Sequence, residues 1–132
     1  MLRTTLFSAA LLGLVACGAE EATGGHTPVD VALFVAGAEV TSLTLAAGQT
    51  TTVEVRFLDH DGEVIEGIED GHFAALTFAP ATLATTAYAT GRHFVLEVTA
   101  QATAGTGTVS VGYGHEEDAD ELSFGPFDVT VQ

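Results

Sequence analysis

The sequence predicts an all-β protein, an antiparallel sandwich of seven to eight short strands. Three observations carry this expectation. Apolar residues recur at every second position rather than every third or fourth. Val and Thr, which suit a half-buried pleated surface, are abundant. Gly and Pro interrupt the pattern at short intervals, and no window of twelve residues carries a helical stripe.

The elements follow in order from that alternation. A first strand is expected over 29–35. A short companion is expected over 41–46, where Leu43 and Leu45 flank Thr44. Over 51–58, Val53, Val55 and Phe57 alternate with Thr52, Glu54 and Arg56. A strand over 73–78 contains Phe73 and Phe78, both expected in the core with Phe94, Phe124 and Phe127. The Ala-rich stretch 81–89 holds several Thr and is flanked by Pro80 and Gly91, which favours a strand or loop over a helix; 83–89 is read as the strand. Phe94, Leu96 and Val98 define 93–100, Val109, Val111 and Tyr113 define 108–113, and Phe127, Val129 and Val131 define 123–131. Gly37, Gly48, Asp61-Gly62, Asp70-Gly71, Gly105, Gly107 and Gly125-Pro126 read as turns.

Charge excludes several functions. The 132 residues include three Arg, no Lys and 18 Asp plus Glu, for a formal net charge of −15. Nucleic-acid binding needs phosphate neutralisation by Lys or Arg, and almost none is present. An anionic membrane surface repels such a chain. A hydrophobic content of 47% nevertheless sustains a core, so the chain is not read as disordered. Its length suits one domain.

Residues 1–18 read MLRTTLFSAALLGLVACG. Arg3 supplies a positive start, and 6–16 form an apolar run too short to cross a bilayer, which takes about 20 helical residues. A cleaved export signal is the expectation. The run ends in Leu14-Val15-Ala16-Cys17, which resembles the lipobox of bacterial lipoproteins. That resemblance implies lipidation of Cys17, which becomes the mature N-terminus, and location in the bacterial envelope, at the outer membrane or cell surface rather than the inner membrane. Cys17 is the only Cys, so the remainder has no disulfide and no thiolate chemistry. Three regions result: a signal peptide over 1–16, a lipidated Cys and Gly-rich tether over 17–27, and a sandwich over 28–132.

The stretch LTLAAGQTTTVEVRFLD (43–59), the D-x-x-G segment from Asp59 to Gly67 and AGTGTVSV (104–111) together resemble bacterial immunoglobulin-like (Big) domains. The resemblance spans most of 29–132 and implies an immunoglobulin-like sandwich. These motifs encode turns rather than chemistry. The Trp or bulky aromatic expected on the third strand of such a sandwich is missing, and Phe73 or Phe78 is expected to fill its space.

That fold brings the connection 59–72 (B–C) and the connection 114–121 (F–G) to one pole. Eleven of the 18 acids lie there: Asp59, Asp61, Glu63, Glu66, Glu69 and Asp70 in the first, and Glu116, Glu117, Asp118, Asp120 and Glu121 in the second. His60, His72, His93 and His115 lie in or beside these loops, and His26 in the tether that feeds them. Crowded carboxylates destabilise one another unless a cation compensates. Two readings stand. In one, Asp59, His60, Asp61, His72, His93, His115, Glu116, Glu117 and Asp118 supply ligands for a divalent cation; oxygen donors suit Ca²⁺ and imidazole suits Zn²⁺ or Cu²⁺. In the other, the loops are solvated and serve solubility alone.

Catalytic motifs are missing from the sequence. No Ser sits in a Gly-x-Ser-x-Gly elbow, Gly105-x-Gly107 is not followed by a helical pattern, and the lack of Lys excludes Schiff-base chemistry. The expected function is a membrane-anchored, extracytoplasmic interaction module without catalytic activity, binding a protein or glycan of the envelope and no nucleic acid. The alternative is a divalent-metal-binding lipoprotein.

Overall fold

The computed structural model describes residues 27–132. The signal, Cys17 and His26 lie outside the described residues. Nine strands form two sheets: β1 (Asp30–Val35), β2 (Ala38–Val40), β3 (Ser42–Leu45), β4 (Thr50–Leu58), β5 (Phe73–Ala79), β6 (Ala84–Tyr88), β7 (Val95–Ala100), β8 (Gly105–Gly114) and β9 (Leu122–Val131). One sheet has the order β2-β1-β4-β7-β6 and the other β3-β9-β8-β5. No helix occurs among the described residues. Leaving aside the short strands β2 and β3, the two sheets carry the strand sets of an immunoglobulin-like sandwich.

Alternation dictates the core. Val53, Val55 and Phe57 of β4 are at most 1% exposed, while Thr52 stays in solvent. The inner faces of β5 (Ala74, Leu76, Phe78), β7 (Leu96, Val98, Ala100) and β8 (Val109, Val111, Tyr113) meet them in one cluster. No polar or charged residue is buried among the described residues. Phe57 is the centre of an aromatic group: its ring lies 4.9 Å from both Phe94 and Tyr113, edge-on, and 5.8 Å from Phe124.

Four details depart from the sequence reading. First, β2 is an additional strand. Ala36 and Gly37 both have positive φ, at 51° and 79°, and the two-residue turn pairs Val35 with Ala38. Three residues are too few to show a period. Second, β3 runs parallel to β9, so this sheet is mixed rather than purely antiparallel. Third, Gly105 and Gly107 are strand positions and not turns. A Cβ on Gly107 would lie 2.3 Å from the Ala79 carbonyl oxygen, so glycine here permits close passage of the chain after β5. Fourth, Gly125 and Pro126 lie within β9, at a bulge where the pairing shifts from Val109–Phe127 to Val111–Phe124. Pro has no N–H to donate to a ladder, and the bulge is where its absence is tolerated.

Phe78 and Phe94 are buried, and Phe124 and Phe127 pack against the core. Phe73 is not a core residue: it lies on the outer face of β5, stacked on His93 at 4.2 Å and edge-on to Tyr88 at 5.7 Å. Of the two residues expected in the space of the missing third-strand aromatic, Phe78 on β5 is buried in the core and Phe73 is not. Replacing Phe57 with Ala is expected to lower the unfolding free energy by about 3–5 kcal/mol. Urea denaturation of the wild type and the variant measures it; a loss below about 1 kcal/mol would contradict this packing.

Candidate functional site

The connection 59–72 and the connection 115–121 meet at one pole of the sandwich. β5 and β8 are antiparallel neighbours with Phe73 opposite Gly114. The next positions outward are His72 and His115, whose rings approach to 4.1 Å between centroids, tilted by 46°. His72 also stacks on Tyr113 at 4.9 Å, nearly parallel at 12°. Three rings therefore form a column: Tyr113 at the core, His72 half-buried and His115 exposed.

Both connections are pinned. Asp59 Oδ1 accepts the amides of Asp61 and Glu63 at 2.8 and 3.1 Å, which closes the Asp-x-x-Gly turn. Glu69 ties this connection to the turn before β7. Its carboxylate takes a two-pronged interaction from Arg92, at 2.9 and 3.0 Å, and accepts the amides of His93 at 2.7 Å and Phe94 at 3.0 Å. Burial alone would raise the Glu69 pKa. The bonds from Arg92, Phe94 and His93 outweigh that and hold the carboxyl below its usual value.

The connection after β8 folds back onto its own strand. Ala119 is 1% exposed, with φ at 46°. A Cβ on Gly112 would lie 2.3 Å from the Ala119 carbonyl oxygen, and one on Gly114 would lie 3.0 Å from its Cα. The two glycines make the seat that holds the loop. Tyr88 adds a bond from its hydroxyl to the Glu117 carbonyl at 3.1 Å, and another to the Ala74 carbonyl at 3.0 Å. Glu121 accepts from the His115 ring Nδ1 at 2.5 Å and from the His115 amide at 3.2 Å. Those bonds hold Glu121 below the usual carboxylate range. Burial, and then the Glu121 charge, raises the Tyr113 phenol.

The nine residues singled out as possible metal ligands fall into separate groups. Asp59, His60 and Asp61 have donor atoms within 4.8 Å of one another. His60 pairs with Asp61 at 3.3 Å, but both side chains are at least 70% exposed, where such pairs contribute little. His72 and His115 form the second group, with Glu121. His93 belongs to neither: it stacks on Phe73. Glu116 and Glu117 use backbone carbonyls to hold the loop, while their side chains and that of Asp118 lie in solvent. Sequence reasoning missed the roles of Glu69 and Glu121. Both lie among eleven similar acids, and nothing in the local pattern distinguishes a carboxylate that closes a loop from one that does not.

Two concavities flank this pole. One, of about 470 Å³, is lined by His72, Tyr113, His115 and Glu121 with apolar walls from Ile68 and Leu122. The other, of about 350 Å³, is lined by Arg56 and Arg92 with Glu54, Glu66 and Glu69. Arg56 bonds Glu54 at 2.8 Å and lies 3.9 Å over the Phe34 ring; Arg92 is held by Glu69. Each arginine in this second concavity is thus already matched to a carboxylate.

No protein-family model and no curated protein sequence matches this chain. Among solved structures it is similar to domains 4–9 of the surface layer protein SbsC, at 20% identity and a TM-score of 0.51, over 80% of this chain and 14% of that one. It is also similar to a structure of SbsC domains 4 and 5, at 18% identity and a TM-score of 0.49, over 75% of this chain and 50% of that one. The chain spans half or less of those proteins' length. At these identities the likeness is one of fold, and the first of the two supports the all-β sandwich.

Two outcomes follow from the pinned loops. The pKa of Glu69 is lower in the folded protein than in the unfolded chain. Its contribution is therefore present above the unfolded value of about 4.3 and is lost as pH falls through the folded value. Glu69→Gln is expected to melt lower than wild type at pH 7, with the gap closing toward pH 3; thermal melts across that range test it. Gly112→Ala is expected to cost about 1–3 kcal/mol, because the Ala119 backbone must move away from the new methyl. An unchanged denaturation midpoint would show that the loop is not seated on β8.

Proposed function

We propose that this chain is a lipid-anchored, extracytoplasmic module of the bacterial envelope that acts by contact rather than catalysis. One observation carries the reading: Leu14-Val15-Ala16-Cys17 closes an apolar run of export-signal length, and the first strand of a sandwich begins at Asp30. The Cys is the acceptor of diacylglycerol in the lipoprotein reading, and two or more acyl chains hold a protein firmly to a bilayer. The sandwich then acts close to that membrane, at the outer membrane or cell surface. Its fold likeness to domains of a surface layer protein supports a role as a surface domain. The residue types and pole geometry supply neither a nucleophile–base pair nor a basic surface, which fits recognition of an envelope protein or glycan better than turnover.

A second reading, divalent-cation binding at the same pole, is favoured by the 4.1 Å approach of His72 and His115 from separate connections.

Anchoring is tested with Cys17→Ser. Wild-type protein is expected in the membrane fraction, and to take up an alkyne-tagged fatty acid. The variant is expected to lose the tag and leave the membrane fraction. Tagging that survives the substitution would overturn the lipoprotein reading.

A further inference from the structure

We propose that His72 and His115 form a binding site for a transition-metal dication of the Zn²⁺ or Cu²⁺ class, with Glu121 as the carboxylate that orients His115. The proposal deepens the cation reading of this pole and rests on it. The backbone places the two imidazoles. Phe73 pairs with Gly114, so His72 and His115 occupy the next opposed positions as β5 and β8 end. Opposed residues of antiparallel strands hold their Cβ atoms about 4.5–5.5 Å apart, within reach of a shared ion. The pinned connections on either side keep both histidines at these positions.

The hydrogen bonding prepares the nitrogens. The His115 Nδ1 is bound to the Glu121 carboxylate, so Nδ1 is the donor there and Nε2 is the atom left to meet an ion. Histidines that ligate metals commonly have such a carboxylate on the other nitrogen, where it fixes the tautomer and raises ligand basicity. His72 supplies an independent sign: its Nδ1 is buried and has no hydrogen-bond partner. A polar atom shielded from water without a partner is unfavourable, and a metal or a rearranged donor set relieves it.

The surroundings suit a dication. The concavity of about 470 Å³ has apolar walls at Ile68 and Leu122, which weaken competition from water. Ten further acids on the two connections besides Glu121 add an attractive field. Imidazole donors select Zn²⁺ or Cu²⁺ over Ca²⁺, which asks for six to eight oxygens. Coordination at about 2.0–2.1 Å requires the tilted His115 ring to adjust against His72 while its Nδ1 stays on Glu121. That side chain is 63% exposed, so the adjustment is open to it. The Asp59–His60–Asp61 group is less suited, because Asp59 Oδ1 already accepts two amides.

The test is equilibrium dialysis of the detergent-purified protein against Zn²⁺, Cu²⁺ and Ca²⁺ at neutral pH and low salt, with bound metal quantified. One equivalent of Zn²⁺ or Cu²⁺ is expected. His115→Ala, an exposed change that leaves the core intact, should weaken binding at least tenfold, and His72→Ala likewise. Glu121→Gln should weaken it by about 10–100-fold. His60→Ala and His93→Ala should leave it unchanged. Zn²⁺ or Ca²⁺ binding that survives His115→Ala, or that is lost with His60→Ala, overturns the assignment to this pair while leaving the pole a cation site. No bound ion of any kind overturns both.

Discussion

The pole of this molecule depends on one carboxylate. Glu69 lies in a fourteen-residue connection with no strand of its own, and it reaches the turn before β7 through Arg92 and two backbone amides. Beside that clasp, the connection is joined to the rest of the molecule by the Leu58–Val64 and Ile65–Phe57 contacts, the packing of Ile68 on the core and the stacking of His72 on Tyr113. His72 follows three residues later, its amide directed at the Glu69 carbonyl at 3.4 Å. The β5–β8 register sets His72 beside His115, and the clasp fixes the connection that leads into His72. A net negative domain thus uses one of the two arginines among its described residues to organise its most negative region.

Charge explains the division of labour among the acids. Asp59, Glu69 and Glu121 each accept at least two hydrogen bonds and hold backbone in place. Glu116, Glu117 and Asp118 project into solvent on a loop whose backbone is fixed by Ala119, Gly112 and Tyr88. The loop presents its side chains on a fixed backbone although they are themselves exposed. A surface that recognises a partner benefits from such fixed presentation, because less ordering entropy is lost on contact.

Much of the fold is legible in the sequence, since period-two alternation reports which face of a strand is buried. Val53, Val55 and Phe57, or Val109, Val111 and Tyr113, need no other information to be placed. Glycine is the least legible residue in this pattern. At Gly107 the residue makes room for the Ala79 carbonyl and at Gly105 for the Gln101 side chain, and only these tertiary contacts distinguish the two positions from turns. Phe73 misled for a related reason. The strand pattern Phe73-Ala74-Ala75-Leu76 puts small Ala74 inward and bulky Phe73 outward, because His93 and Tyr88 wait on the outer face. The meeting of the two acid-rich connections follows from topology and was expected. Which of their residues touch was not, because that depends on the register of β5 against β8.

The bulge at Gly125 and Pro126 divides β9 into unequal halves. From Asp128 to Val131 the strand is flanked on both sides, by β3 and by β8; from Leu122 to Phe124 it has β8 alone. The two halves therefore have different local opening free energies. In hydrogen–deuterium exchange, the amides near the acidic pole would trade protons sooner than those beyond the proline. The double-flanked half is the last part of β9 to open.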